Sequence, residues 1–215
     1  MTKIVAIMPI KLKNERLPGK NTMILGDKPL LQYELDNLIA TKMLDSINVY
    51  CSDEAVVPYL PKGVNFIQRP AYLDLPTSNF TQIFDCFMQG HEADIYVYAH
   101  ATAPFIRVDT MKRGMEAVLS GKYDSAFCAS RIQDYLWHDG EPLNFDASNI
   151  PRSQDLPVIH RETSGVYVFT KDVFRKYRRR IGMHPYIMEV SFKEAVDINL
   201  PEDFEIAKIL LHYDI

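Results

Sequence analysis

Cysteine, tryptophan and glycine are scarce in this 215-residue chain, at three, one and nine residues. Cys51, Cys86 and Cys128 stand far apart, with neither a CxxC pair nor a zinc-ligand spacing, which argues against a disulfide framework or zinc site. They read as small core residues in a reducing compartment. The glycine-rich Walker string is missing, which rules out a P-loop ATPase. No stretch could span a bilayer, and the N-terminal apolar run is short and soon followed by Lys11 and Lys13, unlike a secretory leader. The expectation is a cytoplasmic protein with no membrane partner. Positive charge is not in excess either: 24 Lys and Arg against 28 Asp and Glu leave a net charge of -4, which speaks against a general nucleic-acid binder. Apolar residues make up 47% of the chain, enough to bury one substantial core, so residues 1–215 are expected to form a single domain.

What is present is most distinctive just after the first apolar run. Ile4-Val5-Ala6-Ile7-Met8 leads into Pro9-Ile10-Lys11-Leu12-Lys13-Asn14-Glu15-Arg16-Leu17-Pro18-Gly19-Lys20-Asn21. A first strand would deliver Lys11, Lys13, Arg16 and Lys20 to the mouth of a sheet, and Pro18-Gly19 bends the backbone so that they converge. Such a loop suits a triphosphate; by charge alone, a solvated surface loop fits equally well.

Apolar β-branched runs alternate with amphipathic stretches, the pattern of βαβ units around a largely parallel sheet. The pattern predicts strands over 3–10, 47–51, 64–68, 95–100, 125–130 and 165–169, and helices over 30–41, 55–60, 80–90, 107–119, 171–178 and 201–211. Pro201 with Glu202, Asp203 and Glu205 marks the start of the last helix, and Ile206, Ile209 and Leu210 are expected to form its core-facing stripe. Arg178-Arg179-Arg180 reads as a solvated helix end. Residues 134–163, with three prolines, Trp137 and no period, break the alternation and read as a functional loop or an interaction arm.

The Arg-Leu-Pro-Gly-Lys-Asn string of residues 16–21 closely resembles the nucleotide loop of the cytidylyltransferases that activate acidic sugars, the enzymes making CMP-sialic, CMP-pseudaminic, CMP-legionaminic and CMP-Kdo acids. Four further segments resemble that family in the same order. They are Gln68–Asp74 with Thr77-Ser78-Asn79; Tyr98–Arg107; Pro151–Pro157 with Arg161–Tyr167; and Val196–Asp203. The resemblance implies a Rossmann-like (GT-A-like) nucleotidyltransferase fold, a three-layer α/β sandwich on a mostly parallel sheet with a small dimerisation excursion at 134–163, and hence a homodimer. It also implies transfer of CMP from CTP to an acidic 2-keto-3-deoxy sugar, with Mg²⁺ as cofactor and pyrophosphate released. A different acceptor, or a nucleotide-binding paralogue without turnover, are the alternatives.

By the same resemblance Lys11, Arg16, Lys20, Asn21, Arg69 and Ser78 are expected at the nucleotide, with Lys11 standing where the family more often has Arg. Thr77, Ser78 or Asn79 could equally cap the next helix. His100, Arg152, Arg161 and Tyr167 are expected at the sugar acid, the arginines because a carboxylate needs a cation. His100 replaces the family's usual Gln. Arg161 could instead pair on the surface, and Tyr167 could be a plain strand residue. Asp197 is the expected metal ligand, since Mg²⁺ is commonly held by one or two carboxylates plus phosphates, and Asn199 stands where sialic-acid enzymes often keep a second Asp. Lys20, Lys11 and Asp197 are therefore the expected catalytic residues, in a reaction that demands positioning and charge neutralisation more than covalent chemistry. No general base is evident.

Overall fold

The fold was obtained as a computed structural model that describes residues 2–213. In chain order its elements are β1 (Ile4–Ile10), a small hairpin of β2 (Ile24–Leu25) and β3 (Lys28–Pro29), α1 (Leu30–Thr41), β4 (Ser46–Cys51), β5 (Val64–Gln68), α2 (Phe80–Met88), β6 (Ile95–Ala99), α3 (Val108–Leu119) and β7 (Ser125–Ile132). A second small hairpin of β8 (Trp137–His138) and β9 (Glu141–Pro142) follows, then β10 (Ile159–Thr170), α4 (Lys171–Tyr177), β11 (Pro185–Val190) and α5 (Pro201–Leu210). The predicted helix at 55–60 is a 3-10 helix over Glu54–Tyr59, containing Pro58. Among the described residues no helix is long and apolar enough to cross a membrane.

Seven strands form one sheet in the order β11-β7-β10-β6-β1-β4-β5. All pairs are parallel except those of β10, which runs antiparallel to both β6 and β7. The expected three-layer sandwich on a mostly parallel sheet is thus observed. β1 lies inside the sheet, covered on both faces, which is why it reads as a near-continuous apolar run rather than an alternation. Its even-numbered residues, Ile4 to Ile10, pack with Leu31, Leu35 and Leu38 of α1 and Met111 and Met115 of α3. Val5 and Ile7 face the opposite layer, where Phe84 and Phe87 of α2 meet Tyr96, Phe169 and Phe174.

The chain runs outward from β1 through β4 to β5, then returns to place β6 on the other side of β1. This reversal opens a crevice beyond the carboxyl ends of β1 and β6, where open α/β sheets bind ligands. The basic loop leaves β1 at that point, and His100 directly follows β6.

Three expectations are corrected. Ile159–Thr163 are not part of the excursion: they begin β10 and pair with β7. β11 arises where no strand was expected. The buried stripe of α5 is Phe204, Ala207 and Leu210, the first two packed with Leu17, Leu25, Leu30 and Ile198 rather than against the sheet, while Ile206 and Ile209 are exposed. The helix is held in that rotation at its start, where Asp203 Oδ2 accepts the amides of Asn199 and Leu200 at 2.8 Å each.

Glu34, on the core face of α1, is fully buried and neither carboxylate oxygen has a hydrogen-bond partner. Burial pushes its carboxyl well above the usual range. The folded chain therefore holds this proton more tightly than the unfolded one, and its contribution to stability falls as pH rises from the unfolded carboxylate range towards the folded value. Glu34→Leu is expected to stabilise the protein by about 1–3 kcal/mol at pH 8, and by less at pH 5, since it removes an unsatisfied buried polar group. Thermal melts of both proteins at the two pH values check this; an equal gain at both would show that the carboxyl does not titrate in this window.

Candidate active site

The crevice holds a cleft of about 470 Å³. One wall is the loop after β1, with Lys11, Asn14, Arg16 and Lys20; the other carries His100, Thr102, Ser164, Asp197 and Asn199. Three features hold the loop in shape. Leu17 is buried against the α5 cluster, Gly19 takes a left-handed φ of 69° that ordinary side chains rarely adopt, and Lys20–Thr22 form one 3-10 turn. Asn21 is buried and donates to the Lys11 carbonyl at 2.9 Å, strapping the loop's end to its start.

Across the cleft the segment leading into α5 is tied to the turn after β6, because the Ile198 amide donates to the Thr102 carbonyl at 2.8 Å. The two walls meet through Asn199. Arg16 Nη2 donates to Asn199 Oδ1 at 2.7 Å, Lys20 Nζ donates to the Ile198 carbonyl at 2.8 Å and to Asn199 Oδ1 at 3.4 Å, and Asn199 Nδ2 donates to Asp197 Oδ2 at 2.6 Å. Asn199, which the sequence presents as a lost carboxylate, is the hub joining two loop cations to Asp197. Burial lowers the Lys20 pKa, opposed by the Asp197 charge and reinforced by Arg16. Lys11 reaches Glu15 only at 3.9 Å.

Asp197 lines the cleft, and its Oδ1 is buried without a hydrogen-bond partner. An anionic oxygen in that state suits a cation, so the donor chemistry fits Mg²⁺. No group of three or more His, Cys, Asp or Glu side chains among the described residues could hold a metal, so the remaining ligands would come from phosphate and water.

Arg69 does not line the cleft. It is 3% exposed and staples the end of β1, donating to the Ile10 carbonyl at 2.7 Å and pairing with Asp74 at 2.5 Å. Ser78 donates to the Tyr72 carbonyl, and Asn79 is the residue that caps α2 through reciprocal bonds with Gln82. Of the four residues expected at the sugar, His100 alone lines the cleft of this single chain. Arg152 is an exposed partner of Asp155 on the excursion, Arg161 is exposed and donates to Ser130, and Tyr167 is buried with its hydroxyl on Glu162. Burial, reinforced by the Arg180 charge, lowers the His100 pKa to about 4, so its imidazole is neutral at physiological pH.

Arg180, expected in a solvated helix end, is instead partly buried. α4 stops at Tyr177 because Arg178 is left-handed, with φ 56°, and the chain then turns back towards the sheet. Gly182 lies against the Asp124 carboxylate, which accepts the Met183 amide at 2.7 Å; a Cβ at Gly182 would sit 2.2 Å from that carboxylate. The turn brings the Arg180 guanidinium to 3.6 Å from the Tyr167 ring centroid. The signal available in the sequence is Ile181-Gly182, an apolar residue and a glycine where a solvated run would continue polar.

Over residues 5–212 the chain matches the family model described as cytidylyltransferase. It is similar to the pseudaminic acid cytidylyltransferase of Campylobacter jejuni subsp. jejuni, at 23% identity over 97% of this chain and 96% of that protein. It is also similar to the 3-deoxy-manno-octulosonate cytidylyltransferase of Synechococcus elongatus, at 25% identity over 83% and 79%. The N-acylneuraminate cytidylyltransferase of Streptococcus agalactiae is 20% identical over 94% of this chain, which spans about half of that longer protein, 52%. In fold, the CMP:2-keto-3-deoxy-manno-octonic acid synthetase complexed with CTP superposes with a TM-score of 0.73 at 17% identity, over 98% of both chains. The 4-diphosphocytidyl-2C-methyl-D-erythritol synthase of Anaerococcus prevotii gives 0.66 at 11% identity, over 99% of both. With the match running through nearly all of the sheet and through both walls of the cleft, the chain belongs to the cytidylyltransferase family.

Proposed function

We infer that this chain transfers the cytidylyl group of CTP to the hydroxyl of an acidic 2-keto-3-deoxy sugar, yielding a CMP-sugar and pyrophosphate. The observation that carries the reading is the convergence of Lys11, Arg16 and Lys20 on a cleft at the sheet's switch point, facing Asp197. Transfer at the α-phosphate concentrates charge on phosphate oxygens, and pre-placed cations lower that cost. Lys20 and Arg16 arrive already oriented by Asn199, so little reorganisation remains when the triphosphate enters. Mg²⁺, held by Asp197, would supply further neutralisation of the phosphates and align them. The attacking hydroxyl has no side chain here that is an evident base. The relatives whose names specify sugar acids support the acceptor class.

The excursion supports the reading of a homodimer. Tyr135 and Trp137 pack edge-on against Phe145, and Trp137, Leu143 and Ile150 are each more than half exposed, a pattern that a partner chain would cover. The three free cysteines suit work in the cytoplasm.

The test is pyrophosphate release from CTP with purified protein, Mg²⁺ and pseudaminic, N-acylneuraminic or 3-deoxy-manno-octulosonic acid. Release with one of these acids supports the assignment. CTP binding without release from any acceptor would make the chain a nucleotide-binding relative, and absence of CTP binding would sink the enzyme reading. In the same assay Asp197→Asn should raise the Mg²⁺ concentration needed for half-maximal rate by at least about tenfold, the usual scale for damage to a metal site. An unchanged Mg²⁺ dependence would remove Asp197 from that role.

A further inference from the structure

We propose that Asn199 is a positioning residue that keeps divalent metal out of the nucleotide-free cleft, so that the ion enters only together with the triphosphate. This rests on the nucleotide reading above and names the residue that sets the order in which metal and nucleotide reach the site.

The side-chain amide of Asn199 is engaged at both ends. Its Oδ1 accepts from Arg16 Nη2 at 2.7 Å and from Lys20 Nζ at 3.4 Å, and its Nδ2 donates to Asp197 Oδ2 at 2.6 Å. Two cationic donors on one side fix the oxygen there, so the nitrogen faces the carboxylate. An aspartate in its place would have no hydrogen to give to Asp197 and would meet it as a like charge. The backbone keeps the amide in register. The Ile198 N–H donates to the Thr102 carbonyl and the Asn199 N–H to Asp203 Oδ2, each at 2.8 Å. Asp203 is thereby engaged at the start of α5, outside the lining of the cleft.

A metal ion entering alone meets one free ligand atom and an adverse field. Asp197 offers it Oδ1, which is buried without a hydrogen-bond partner, while Asp197 Oδ2 and Asn199 Oδ1 are already bonded. The cleft sets the cations of Lys11, Arg16 and Lys20 against the single carboxylate of Asp197, a balance that repels a free divalent ion. A triphosphate reverses it, bringing several negative charges and the oxygens that complete the ion's coordination. One side chain thus leaves Oδ1 of Asp197 open for the ion and holds two cations beside it that prevent early uptake.

The test uses Mn²⁺ as the metal, with free ion followed by EPR, and the whole chain alone or with α,β-methylene-CTP; the analogue without protein gives the baseline. Wild type, Asn199→Asp, Asn199→Ala and the double variant Asn199→Asp/Asp197→Asn are compared, each checked by thermal melting. Wild type alone is expected to bind Mn²⁺ at least about tenfold more weakly than wild type with the analogue, since one carboxylate is a poor site by itself. Asn199→Asp, which adds a carboxylate and a negative charge, should tighten binding to the nucleotide-free chain by about tenfold or more, and the double variant should lose that gain. Asn199→Ala releases Asp197 to turn and should weaken binding in the presence of the analogue by about tenfold, the lower end of the loss when a metal ligand's hydrogen-bond partner is removed.

Equal Mn²⁺ affinity of wild type with and without the analogue would overturn the order of entry. Asn199→Asp binding no more tightly than wild type would show that the amide is not what excludes the ion, and a gain that survives in the double variant would place the ion away from Asp197; either overturns the proposal. An unchanged affinity in Asn199→Ala would remove Asn199 from positioning. Because these are binding equilibria, the two readings fail separately. The expected Mn²⁺ behaviour with no pyrophosphate released from any acid leaves this proposal standing and sinks the transfer reaction, and release with Mn²⁺ affinities untouched by the variants does the reverse.

Discussion

Lys20→Met is expected to lower kcat/KM for CTP by about 100- to 1000-fold, the range seen when one pre-placed electrostatic donor is removed from a transition state. Methionine keeps an unbranched stem and removes only the cation. Lys20 makes two bonds to the opposite wall, to the Ile198 carbonyl at 2.8 Å and to the Asn199 side-chain oxygen at 3.4 Å. Because it is partly buried, its field at a bound phosphate is screened less than that of an exposed lysine. Lys11 and Arg16 remain in the variant, so CTP binding should weaken less than turnover. Steady-state pyrophosphate release measures the loss, and a melting curve close to wild type shows that the fold is intact. Wild-type turnover in the variant would take Lys20 out of the reaction.

Phe84→Ala is expected to destabilise the chain by about 3–5 kcal/mol, the cost of removing a fully buried aromatic ring from a core that relaxes only in part. Phe84 is 0% exposed and sits at the centre of the aromatic layer, with ring centroids 4.6 Å from Phe174, 4.8 Å from Tyr96 and 5.0 Å from Phe169. Its loss unsupports α2 from the sheet on one side and α4 on the other. Phe84→Leu refills most of the volume but forfeits the edge-to-face contacts, so it should fall between the two. Urea unfolding gives the free energies directly. A cost below about 1 kcal/mol for alanine would mean that the layer repacks around the gap rather than holding its shape.

The central strands were legible because burial on both faces demands near-continuous apolar runs, and β1 and β6 have them, as does β4 but for Ser46 and the buried Asn48. β11 was hidden by its composition. It opens on Pro185, lies at the sheet edge with β7 as its one pairing partner, and is only partly buried over its first three residues, so its local signal is weak. The reversed direction of β10 has no local signature at all. It follows from the path of the excursion, which returns the chain to the end of β7 where it left, so that β10 can only run back along it. The rotation of α5 was misread for a related reason: Ile206 and Ile209 are as apolar as their buried neighbours, and the Asp203 cap and the α1 surface determine which face turns inward.

In the site, the chemistry that lies close together in the chain could be read in advance. Lys11, Arg16 and Lys20 share one loop, and a strand followed by Pro18-Gly19 can hardly place them elsewhere than at a sheet end. Asp197 likewise sits in a βα connection, between β11 and α5, which leaves the sheet at the carboxyl end of its strand. Charge alone left a solvated loop open as well, and it was the resemblance of the surrounding strings that pointed to a triphosphate and a cation. Pairings between distant segments were not accessible that way, because one-dimensional order carries no information on which side chains burial will consume. Arg69 is used up beneath β1 and Tyr167 beneath Arg180, while Asn199 becomes a bridge and Arg180 turns inward because Arg178 ends a helix in a left-handed conformation. Amino-acid identity sets which charges exist and roughly where each loop emerges. Packing then settles which of those charges are neutralised by neighbours and which remain for a substrate.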